Sequence, residues 1–596
     1  MSAPVTHTHD FARVFDIPAY QASRYPNNTA LLDKKDGQWL PTSIGLLQQR
    51  VDAVSVVLMQ TGYKVGDKIL MIPIMGTVDW VVLDLACQQI GVVVVPVHPT
   101  ARMEEFQLIL SETEAKCCVT ADETLLRKFQ AFKPDFHFAH LVTTAEGYFK
   151  PLSAKTPDAE SISRLREQMN TISDTDIFSI LYTSGSSGKP KGVQLSHRNV
   201  VHNIKSILAL LPLEPGDRVL SFLPFSHVFE RTTCYAYLAF GVSVYFSERK
   251  ETFAQDFHSA RPLFCTSVPR VLEKMTEYLE EEMVRQNAIK KKIIQWAMSI
   301  GKKFQHRRNP GIAYSLQLAL ARMLVLRTWR RQLGGSIKYI AVGAASLRPE
   351  IGRLFSAAGI LVVEGYGMTE TSPIITMNRY EPGLNRFGTV GLTLPGVEIR
   401  LEEPNEEGEG EILVKGPNVT SGYFKQEELT HAAFTEDGWF RTGDVGRWEH
   451  QRFLKITDRK KDIFKTSAGK YIAPLPLQQY FCTSPFVQRC LIIGFQRPFV
   501  TALLVPNFAH LELWCQEQDI HWTAPPFMVH NIRVRAKFEE EIERLNVELP
   551  NHERIRNFVL CHEEWTTENG EITPTLKPVR HLLMEHYKSD IEKMYI

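Results

Sequence analysis

Short apolar runs alternate with segments of helical spacing along the first 460 residues. Runs at 68–74 and 91–97 are bounded by turn residues, while apolar positions recur every three or four residues over 46–61 and 80–89. The alternation continues through further apolar runs at 177–182, 218–222, 243–246, 337–342 and 360–363. Strands that alternate with helices predict an α/β fold with parallel sheets covered on both faces.

The pattern changes after residue 385. Residues 385–425 are rich in turn residues and contain short runs such as 411–415, which favours a small β-rich subdomain. From Lys460 onward the chain has the pattern of a compact α+β module of about 135 residues, an ordinary domain size. The sequence therefore predicts a large N-terminal part and a smaller C-terminal part.

Composition narrows the class of protein. The 596 residues carry a net charge of +1, with 44% hydrophobic and 23% charged residues, which gives no overall bias toward nucleic acid. Nine scattered cysteines without a CxxC pair predict a reduced, intracellular protein without a structural zinc site. The N-terminus lacks the pattern of a secretory signal, and the apolar stretch 81–97 is interrupted by polar residues. We expect a cytoplasmic protein.

A basic segment at 270–335 departs from this neutral background. Apolar residues recur there at helical spacing, between clusters of lysine and arginine. The apolar positions are Ile289, Ile293, Trp296, Ala297, Ile300 and Phe304, and the basic ones are Lys290, Lys291, Lys292, Lys302, Lys303, Arg307, Arg308, Arg322, Arg327, Arg330 and Arg331. We favour a helical insert whose apolar stripe packs on its own domain. The alternative is peripheral contact of 285–331 with anionic lipid on the inner face of the membrane, where each basic residue contributes about 1 kcal/mol.

A loop rich in glycines and hydroxyls follows the run at 177–182. The segment 182–199 reads YTSGSSGKPKGVQLSHRN and precedes apolar positions of helical spacing at 200–208. Glycines let successive N–H groups point inward, hydroxyls donate to oxyanions and lysines neutralise their charge. A strand, such a loop and a helix together predict a phosphate site. It is not a Walker A loop, because Pro190 follows Lys189 where Ser or Thr would bind magnesium, and this excludes a P-loop kinase or ATPase.

Further chemistry-bearing segments follow the later runs. The segment 223–232 reads LPFSHVFERT, 341–346 reads AVGAAS and 363–372 reads VEGYGMTETS. Small residues let a flat ring approach the backbone, Tyr366 offers a ring face, and Glu370 is a hard oxygen ligand of the kind magnesium prefers. Asp444, after a glycine in WFRTGD, can accept both hydroxyls of a ribose.

These motifs, in this order from about residue 20 to the end, resemble the adenylate-forming superfamily. That family includes acyl-CoA synthetases, luciferases and the adenylation domains of peptide synthetases. Within it, SHVFERT, TSVPR at 266–270, the basic insert, KTSAGKYIAP at 465–474 and TPTLK at 573–577 look like long-chain fatty acid–CoA ligases. One departure from many members is Leu576, which stands where they have glycine.

The resemblance implies a role for individual residues. It places the ATP phosphates on the loop, adenine on the two later motifs, ribose on Asp444 and Arg459, and magnesium on Glu370 and Thr183. The loop residues are Thr183, Ser184, Gly185, Ser186, Ser187, Gly188 and Lys191, and the later nucleotide-binding residues are Gly343, Ala344, Ala345, Gly365, Tyr366, Gly367 and Thr369. His227 would lie beside the acyl pocket, Lys577 would reach the carboxylate being activated, and Lys465 would serve the second half-reaction.

The resemblance also implies two domains that move. An N-terminal adenylation domain, 1–459, would hold ATP and the acyl chain. A C-terminal domain, 460–596, would rotate about a hinge at Lys461. The implied reaction activates a long-chain fatty acid with ATP and Mg²⁺ to acyl-AMP and transfers the acyl group to CoA, releasing AMP and pyrophosphate.

Two alternatives stay open at this point. One is a fatty acyl-AMP ligase that loads a carrier protein instead of CoA. The other is a non-catalytic lipid-binding homologue, which predicts damaged motifs. The motif residues are intact, namely Thr183, Lys191, Glu370, Asp444, Arg459 and Lys577. Acyl chain length and the choice between monomer and homodimer are not predicted.

Overall fold

The computed structural model describes most of the chain in two compact units. The described residues are 10–25, 29–73, 75–120, 122–132, 138–140, 155–184, 190–249, 252–284, 287–307, 309–467, 470–566, 569–572 and 578–596. The first unit comprises Met1–Lys274, Gln286–Ile399 and Val414–Phe440, and the second comprises Met275–Arg285, Arg400–Leu413 and Arg441–Ile596. The domain boundary that we predicted after residue 459 stays a prediction.

The strands are numbered in chain order. They are β1 (Thr29–Lys35), β2 (Gln38–Ser43), β3 (Lys68–Ile72), β4 (Val93–Pro96), β5 (Cys117–Thr120), β6 (Phe138–His140), β7 (Ile177–Ser184), β8 (Pro190–Ser196), β9 (Arg218–Ser221), β10 (Ser243–Phe246), β11 (Phe264–Ser267), β12 (Tyr339–Val342), β13 (Leu361–Gly367), β14 (Ile374–Met377), β15 (Leu392–Thr393), β16 (Glu398–Glu402), β17 (Gly410–Lys415), β18 (Phe440–Glu449), β19 (Phe453–Arg459), β20 (Phe464–Lys465), β21 (Tyr471–Ile472), β22 (Val487–Ile493), β23 (Val500–Pro506) and β24 (Ile555–Leu560).

The helices are numbered in the same way. They are α1 (Ile17–Arg24), α2 (Ile44–Gln60), α3 (Val78–Gln89), α4 (Met103–Thr113), α5 (Glu123–Phe132), α6 (Ala159–Asn170), α7 (His197–Leu208), α8 (Val228–Phe240), α9 (Phe253–Ala260), α10 (Pro269–Val284), α11 (Ala288–Lys302), α12 (Ile312–Ala321), α13 (Arg327–Gln332), α14 (Pro349–Ala357), α15 (Glu427–Ala433), α16 (Pro474–Phe481), α17 (Phe508–Glu517), α18 (Pro525–Met528), α19 (Ile532–Asn546), α20 (Arg580–His586) and α21 (Lys588–Lys593). A π-helical turn, Arg322–Leu326, joins α12 to α13.

Two mostly parallel sheets form the first unit. One has the order β15-β14-β13-β12-β11-β9-β10-β1-β2 and the other the order β6-β5-β3-β4-β7-β8 in the part of the chain that the structure describes. The central strands pair in parallel, while β2, β8, β14 and β15 pair antiparallel at the edges. Strand β4 is apolar throughout, and β3 is apolar and buried after Lys68, because both faces of a parallel sheet are covered. This confirms the predicted α/β fold class.

The helix predicted at 200–208 is present as α7, but the segment before it is not one continuous loop and contains a strand that we did not predict. The chain returns as β8, antiparallel to β7, so that Thr183 lies opposite Lys191 and residues 185–189 connect the two strands. Helix α7 begins only after β8, where the Ser196 hydroxyl accepts a hydrogen bond from the Asn199 amide (3.2 Å). Within β8, Val193 and Leu195 are buried while Gln194 between them is less so, an alternation that favours a strand. A hairpin, and not a helix N-terminus, carries the predicted phosphate loop.

The second unit is built from smaller sheets. Its four-stranded sheet has the order β16-β17-β18-β19, and its three-stranded sheet pairs β22 antiparallel and β24 parallel to β23. Helices α16 and α19 pack on the three-stranded sheet through buried residues such as Leu477, Phe481 and Phe538. The predicted β-rich segment and C-terminal α+β module are both present. Within the described residues, no helix combines the length and the apolar character needed to cross a bilayer.

Candidate active site

Several predicted motifs meet at one edge of the nine-stranded sheet. In the register of the parallel strands, Ser267 pairs with Val342 and Val342 pairs with Glu364, so β11, β12 and β13 end side by side. The segment 223–227 follows the neighbouring strand β9. Ligands of open α/β sheets bind at such carboxyl ends. The structure thus brings together the motifs that begin at 223, 341 and 363.

The chain turns sharply at the end of β12. Ala344 has a φ of +70°, a left-handed conformation that residues with a Cβ rarely adopt. The preceding Gly343 has no side chain, and a Cβ there would lie 3.4 Å from Phe229 at the start of α8. Gly343 is buried, whereas Ala345 is exposed. The turn therefore presents backbone rather than bulky side chains, which suits a flat ligand.

The conformation at the end of β13 requires a glycine. A Cβ on Gly367 would lie 1.8 Å from the Pro373 carbonyl oxygen, so a side chain does not fit. Tyr366, opposite Thr376 on β14, is partly exposed. Thr369 and Glu370 follow in a short 3-10 turn, and both are buried. The close approach at Gly367 fixes the direction in which Tyr366 and Glu370 leave the sheet.

Lys191, Glu370 and Tyr423 form a polar cluster, which we call the Lys191 cluster. The Lys191 Nζ lies 2.9 Å from Glu370 Oε1 and donates a 2.6 Å hydrogen bond to the Tyr423 hydroxyl. That hydroxyl in turn donates to Glu370 Oε1 at 3.0 Å. Burial, and then the charge of Glu370, raises the pKa of Tyr423, so its phenol stays protonated. The side chain of Glu370 is 3% exposed and that of Lys191 is 25% exposed. The carboxylate is therefore shielded from solvent, whereas part of the lysine is accessible to it.

Backbone hydrogen bonds hold Tyr423 in this position. The Phe424 amide donates to the Gly192 carbonyl (2.7 Å), and the Gln194 amide donates to the Gly422 carbonyl (3.1 Å). The Thr420 amide also donates to the Glu370 carbonyl (2.8 Å). The segment 420–424 therefore extends the pairing of β8. Sequence reasoning missed Tyr423, because its partner Lys191 is 232 positions away along the chain.

Thr183 has the properties expected of a ligand-binding hydroxyl. Its Oγ1 is buried and has no hydrogen-bond partner among the described residues. A buried polar atom without a partner costs free energy, so such atoms commonly await a ligand or an ion. Thr183 lies directly opposite Lys191 across the hairpin, and opposed side chains project from the same face. A hydroxyl and a carboxylate are the hard oxygen donors that fit magnesium, with phosphate oxygens completing its shell.

His227 caps a helix at the edge of this region. Its Nδ1 accepts a hydrogen bond from the Phe229 amide (3.2 Å) at the N-terminus of α8. One turn on, Glu230 is buried and accepts hydrogen bonds from the hydroxyls of Ser221 (2.5 Å) and Thr266 (2.7 Å). Burial raises the pKa of Glu230 to about 7. Glu230 therefore ties α8 to the ends of β9 and β11 and fixes the position of His227.

Arg231, Asp84 and Tyr235 form a second cluster, which we call the Arg231 cluster. The guanidinium of Arg231 donates two hydrogen bonds to the Asp84 carboxylate (2.7 and 2.5 Å) and a third to Ser179 of β7 (2.6 Å). The Tyr235 hydroxyl donates to the same carboxylate. All of these side chains are buried. The arginine of SHVFERT thus joins α8 to α3 and to β7, which the sequence alone does not reveal.

In the second unit, the predicted ribose pair is assembled. Asp444 on β18 and Arg459 on β19 are direct cross-strand partners, and the Arg459 Nε lies 3.1 Å from Asp444 Oδ1. Asp444 is buried, while 42% of the Arg459 side chain is exposed. An ordered carboxylate beside an exposed guanidinium can bind a polyol. The next carboxylate, Asp458, has a pKa raised to about 6 by burial.

The remaining predicted residues are only partly described. Lys461 and Lys465 are exposed, and the Lys465 Nζ lies 4.4 Å from the centre of the Tyr471 ring. Gly185, Ser186, Ser187, Gly188 and Lys577, together with the side chain of Ser184, lie outside the described residues. Arg580, just after Lys577, is partly buried and donates to the Ile492 carbonyl (2.6 Å), which anchors the chain at that point.

Comparisons with known proteins agree with this arrangement. The family described as AMP-binding enzyme matches residues 19–424, and the AMP-binding enzyme C-terminal domain matches 461–596. The chain is 30% identical to the long-chain-fatty-acid–CoA ligase FadD15 of Mycobacterium bovis, over 94% of this chain and 93% of that protein. It is 29% identical to long-chain-fatty-acid–CoA ligase 6 of Mus musculus, over 99% of this chain and 88% of that one.

Solved structures share the fold. The adenylation domain of a carboxylate reductase from Mycobacterium chelonae aligns with a TM-score of 0.72 at 22% identity, covering 98% of this chain and 91% of that one. ATP-bound MatB from Rhodopseudomonas palustris aligns with a TM-score of 0.69 at 22% identity, covering 97% and 99%. With both family descriptions matched in order and full-length relatives at 30% identity, this chain belongs to the AMP-binding enzyme family.

Proposed function

We propose that this protein is an AMP-forming long-chain fatty acid–CoA ligase. The full-length relatives that bear this name support it. The observation that carries the proposal is the Lys191 cluster, with the unpartnered Thr183 hydroxyl opposite Lys191 on the same hairpin. It combines a cation, a carboxylate and a hydroxyl at the end of a glycine-rich loop. These are the groups that a nucleoside triphosphate and its metal ion require.

The first half-reaction is set by charge. A fatty acid carboxylate and the α-phosphate of ATP repel each other, so cationic groups must neutralise both. Lys191, which follows the loop, would neutralise the phosphates, and Lys577 would meet the carboxylate. Glu370 and Thr183 would hold Mg²⁺, which supplies further charge neutralisation when bound. The carboxylate attacks the α-phosphate, pyrophosphate leaves, and Asp444 and Arg459 hold the ribose of the acyl-adenylate.

The second half-reaction transfers the acyl group to CoA. The thiol attacks the activated carbonyl, forming the thioester as AMP leaves. Lys577 has no use at this step, whereas Lys465 and the segment 466–473 would assist it. We propose that the C-terminal domain, 460–596, rotates about Lys461 between the two steps, a common way of gating a two-step reaction.

The direct test supplies ATP, Mg²⁺ and palmitate with and without CoA. We expect acyl-CoA, AMP and pyrophosphate in equal amounts when CoA is present, and only bound acyl-AMP when it is absent. Acyl-AMP without thioester in the presence of CoA would favour the ligase that loads a carrier protein. An absence of nucleotide turnover would favour the non-catalytic homologue. Release of ADP would contradict both ligase proposals. A panel of acids from short to very long then defines the chain-length preference.

The proposed rotation is tested by measuring the half-reactions separately. Lys577→Ala is expected to stop pyrophosphate exchange while leaving thioester formation from synthetic acyl-adenylate. Lys461→Pro should do the reverse, because proline restricts the backbone at the hinge. Equal loss of both steps in both variants would contradict the rotation.

A further inference from the structure

The helical insert carries an exposed apolar face on α12 and the π-helical turn after it. Ile312 is 83% exposed and Leu316 and Met323 are each 67% exposed, and Leu320 and Leu324 lie between and beside them. The spacing of 4, 4, 3 and 1 residues puts all five side chains on one side of the helix. The other side, with Leu318, Ala321, Leu326 and Trp329, is buried. This helix therefore has a packed apolar face and a second apolar face in solvent.

This face is not the stripe that the sequence predicted. On α11 only the C-terminal half of the predicted stripe packs inward: Ala297 and Ile300 are buried and Gly301 lies close to Leu354 of α14, whereas Ile289 and Ile293 are exposed. The interpretation of α11 as a helix that packs on its own domain is supported for that half of the helix. The larger exposed apolar surface lies on α12, which has no charged residue between Ile312 and Ala321.

The segment that contains this face carries one sign of charge. Residues 283–349 contain fourteen lysines and arginines and no aspartate or glutamate, although the whole chain has a net charge of only +1. Arg327 and Arg331, both exposed, continue the apolar face at helical spacing on α13. A cavity of about 220 Å³ beside it is lined by Arg307, Tyr314 and Arg322, among others. Apolar side chains next to exposed cations match the chemistry of an anionic lipid surface.

We propose that this face, Ile312 to Leu324 with Arg327 and Arg331, docks the protein on an anionic lipid bilayer. A second copy of the chain is disfavoured, because a symmetric contact through this face would bring the exposed Arg327 and Arg331 of the two copies close together. A nucleic acid would leave the exposed isoleucine, leucines and methionine without an apolar partner. The proposal deepens the proposed function, on which it rests for its purpose, since it places the enzyme where a water-insoluble fatty acid is dissolved.

Vesicle co-sedimentation of the full-length protein tests the proposal without ATP or fatty acid. We expect binding to phosphatidylcholine vesicles that contain phosphatidylglycerol, little binding to phosphatidylcholine alone, and a fall in binding with rising salt. The double variant Leu316→Glu/Leu320→Glu should bind at least about tenfold more weakly, because it removes buried apolar area. Arg327→Glu/Arg331→Glu should weaken vesicle binding about fivefold for each positive charge removed, and further because each charge is reversed. The matched controls are Ile532→Glu, at an isoleucine that is 86% exposed elsewhere, and Arg164→Glu on α6, and both should bind like the wild type.

Each outcome bears on the proposal separately from catalysis. The variants should keep the thermal stability and the ATP–pyrophosphate exchange of the wild type with dissolved fatty acid, because their side chains point into solvent. Equal binding of wild type and both double variants, or no binding of the wild type to anionic vesicles, would overturn the docking surface. A wild type that sediments as a dimer, which the leucine variant dissociates without loss of vesicle binding, would overturn it in favour of a second copy. Vesicle binding without any ligase activity would contradict the proposed function alone.

Discussion

The Arg231 cluster and the Lys191 cluster contain the same three kinds of group, a cation, a carboxylate and a tyrosine. In the Arg231 cluster, the side chains of Arg231 and Asp84 are 4% and 0% exposed. In the Lys191 cluster, the carboxylate is equally buried but a quarter of the lysine side chain is exposed. The first is surrounded by helices and strands, whereas the second lies at the end of a glycine-rich loop.

The cation makes the larger difference. Arginine offers a planar fork that binds a carboxylate through two hydrogen bonds, and it does so with Asp84. Lysine is a point charge that can exchange one oxygen for another at low cost. The comparison indicates that the Arg231 cluster holds the fold together and that the Lys191 cluster is built to exchange partners when phosphate arrives. Four variants test this difference, in order of decreasing effect.

Arg231→Met should lower the free energy of unfolding by about 3–5 kcal/mol, because it leaves the Asp84 carboxylate buried without a cation. Replacing Asp84 by leucine in the same chain should recover much of this loss. Urea unfolding followed by tryptophan fluorescence measures it. Arg249→Met, at a residue whose side chain is 70% exposed, is the control and should change stability by less than about 0.5 kcal/mol. Equal effects of the two single variants would contradict a structural role for the Arg231 cluster.

Glu370→Gln should leave stability nearly unchanged and lower the rate of adenylate formation by about 10²–10³-fold, a loss of about 3–4 kcal/mol of transition-state stabilisation. The amide keeps the shape of the side chain but loses the charge that binds Lys191 and would bind Mg²⁺. Pyrophosphate exchange and thermal unfolding should be measured on the same preparation. Glu350→Gln, at an exposed position of α14, serves as the matched control. If Glu370→Gln is inactive only because it unfolds, Glu370 has a structural role like that of the Arg231 cluster.

Glu230→Gln tests a carboxylate whose hydrogen-bond partners are hydroxyls and backbone amides instead of a cation. Burial raises its pKa from 4.5 to about 7, so the folded state holds a proton that the unfolded state releases between these values. Protonation of Glu230 therefore gives its full stabilisation below pH 4.5, and the free energy of unfolding falls by about 3 kcal/mol as the pH rises from 4.5 to 7. Glutamine stays neutral, so the stability difference between wild type and variant should change over this window in favour of the variant. A difference independent of pH would contradict a protonated Glu230.

Tyr423→Phe should have the smallest effect. It removes one hydrogen bond from Lys191 and one to Glu370 but leaves their ion pair, which corresponds to about 0.5–1.5 kcal/mol. Because the phenol orients the carboxylate and is not itself charged, we expect the KM for ATP and Mg²⁺ to rise and kcat to change little. Tyr480→Phe, which removes a hydrogen bond to the Leu545 carbonyl in the second unit, should leave both parameters unchanged. A large fall in kcat for Tyr423→Phe would make the phenol a catalytic group.

Periodicity predicted the elements of the first unit well. Segments such as 243–246 and 80–89 appear as β10 and as most of α3, because buried parallel strands and their covering helices leave unambiguous apolar patterns. The hairpin of β7 and β8 was missed, because glycine and lysine at its start obscure the alternation at Val193 and Leu195. A local pattern predicts which face of a strand is buried, but it does not predict which strand pairs with it.

The candidate site was predictable only where its residues lie in short strings. Thr183, Lys191 and Glu370 could be found because each stands in a dense motif. Tyr423 and Asp84 could not, since their roles arise from contacts that span 232 and 147 positions of the chain. The exposed face of α12 was also hidden, because an apolar stripe in a sequence does not show whether it is covered.

Fatty acid-dependent exchange of labelled pyrophosphate into ATP, measured without CoA, tests the central assignment most directly. We predict exchange in the wild type that requires the fatty acid, falls by about 10²–10³-fold in Glu370→Gln, and is unchanged in Glu350→Gln. Exchange that does not depend on the fatty acid, or that survives Glu370→Gln at the rate of the wild type, would contradict a nucleotide site at the Lys191 cluster.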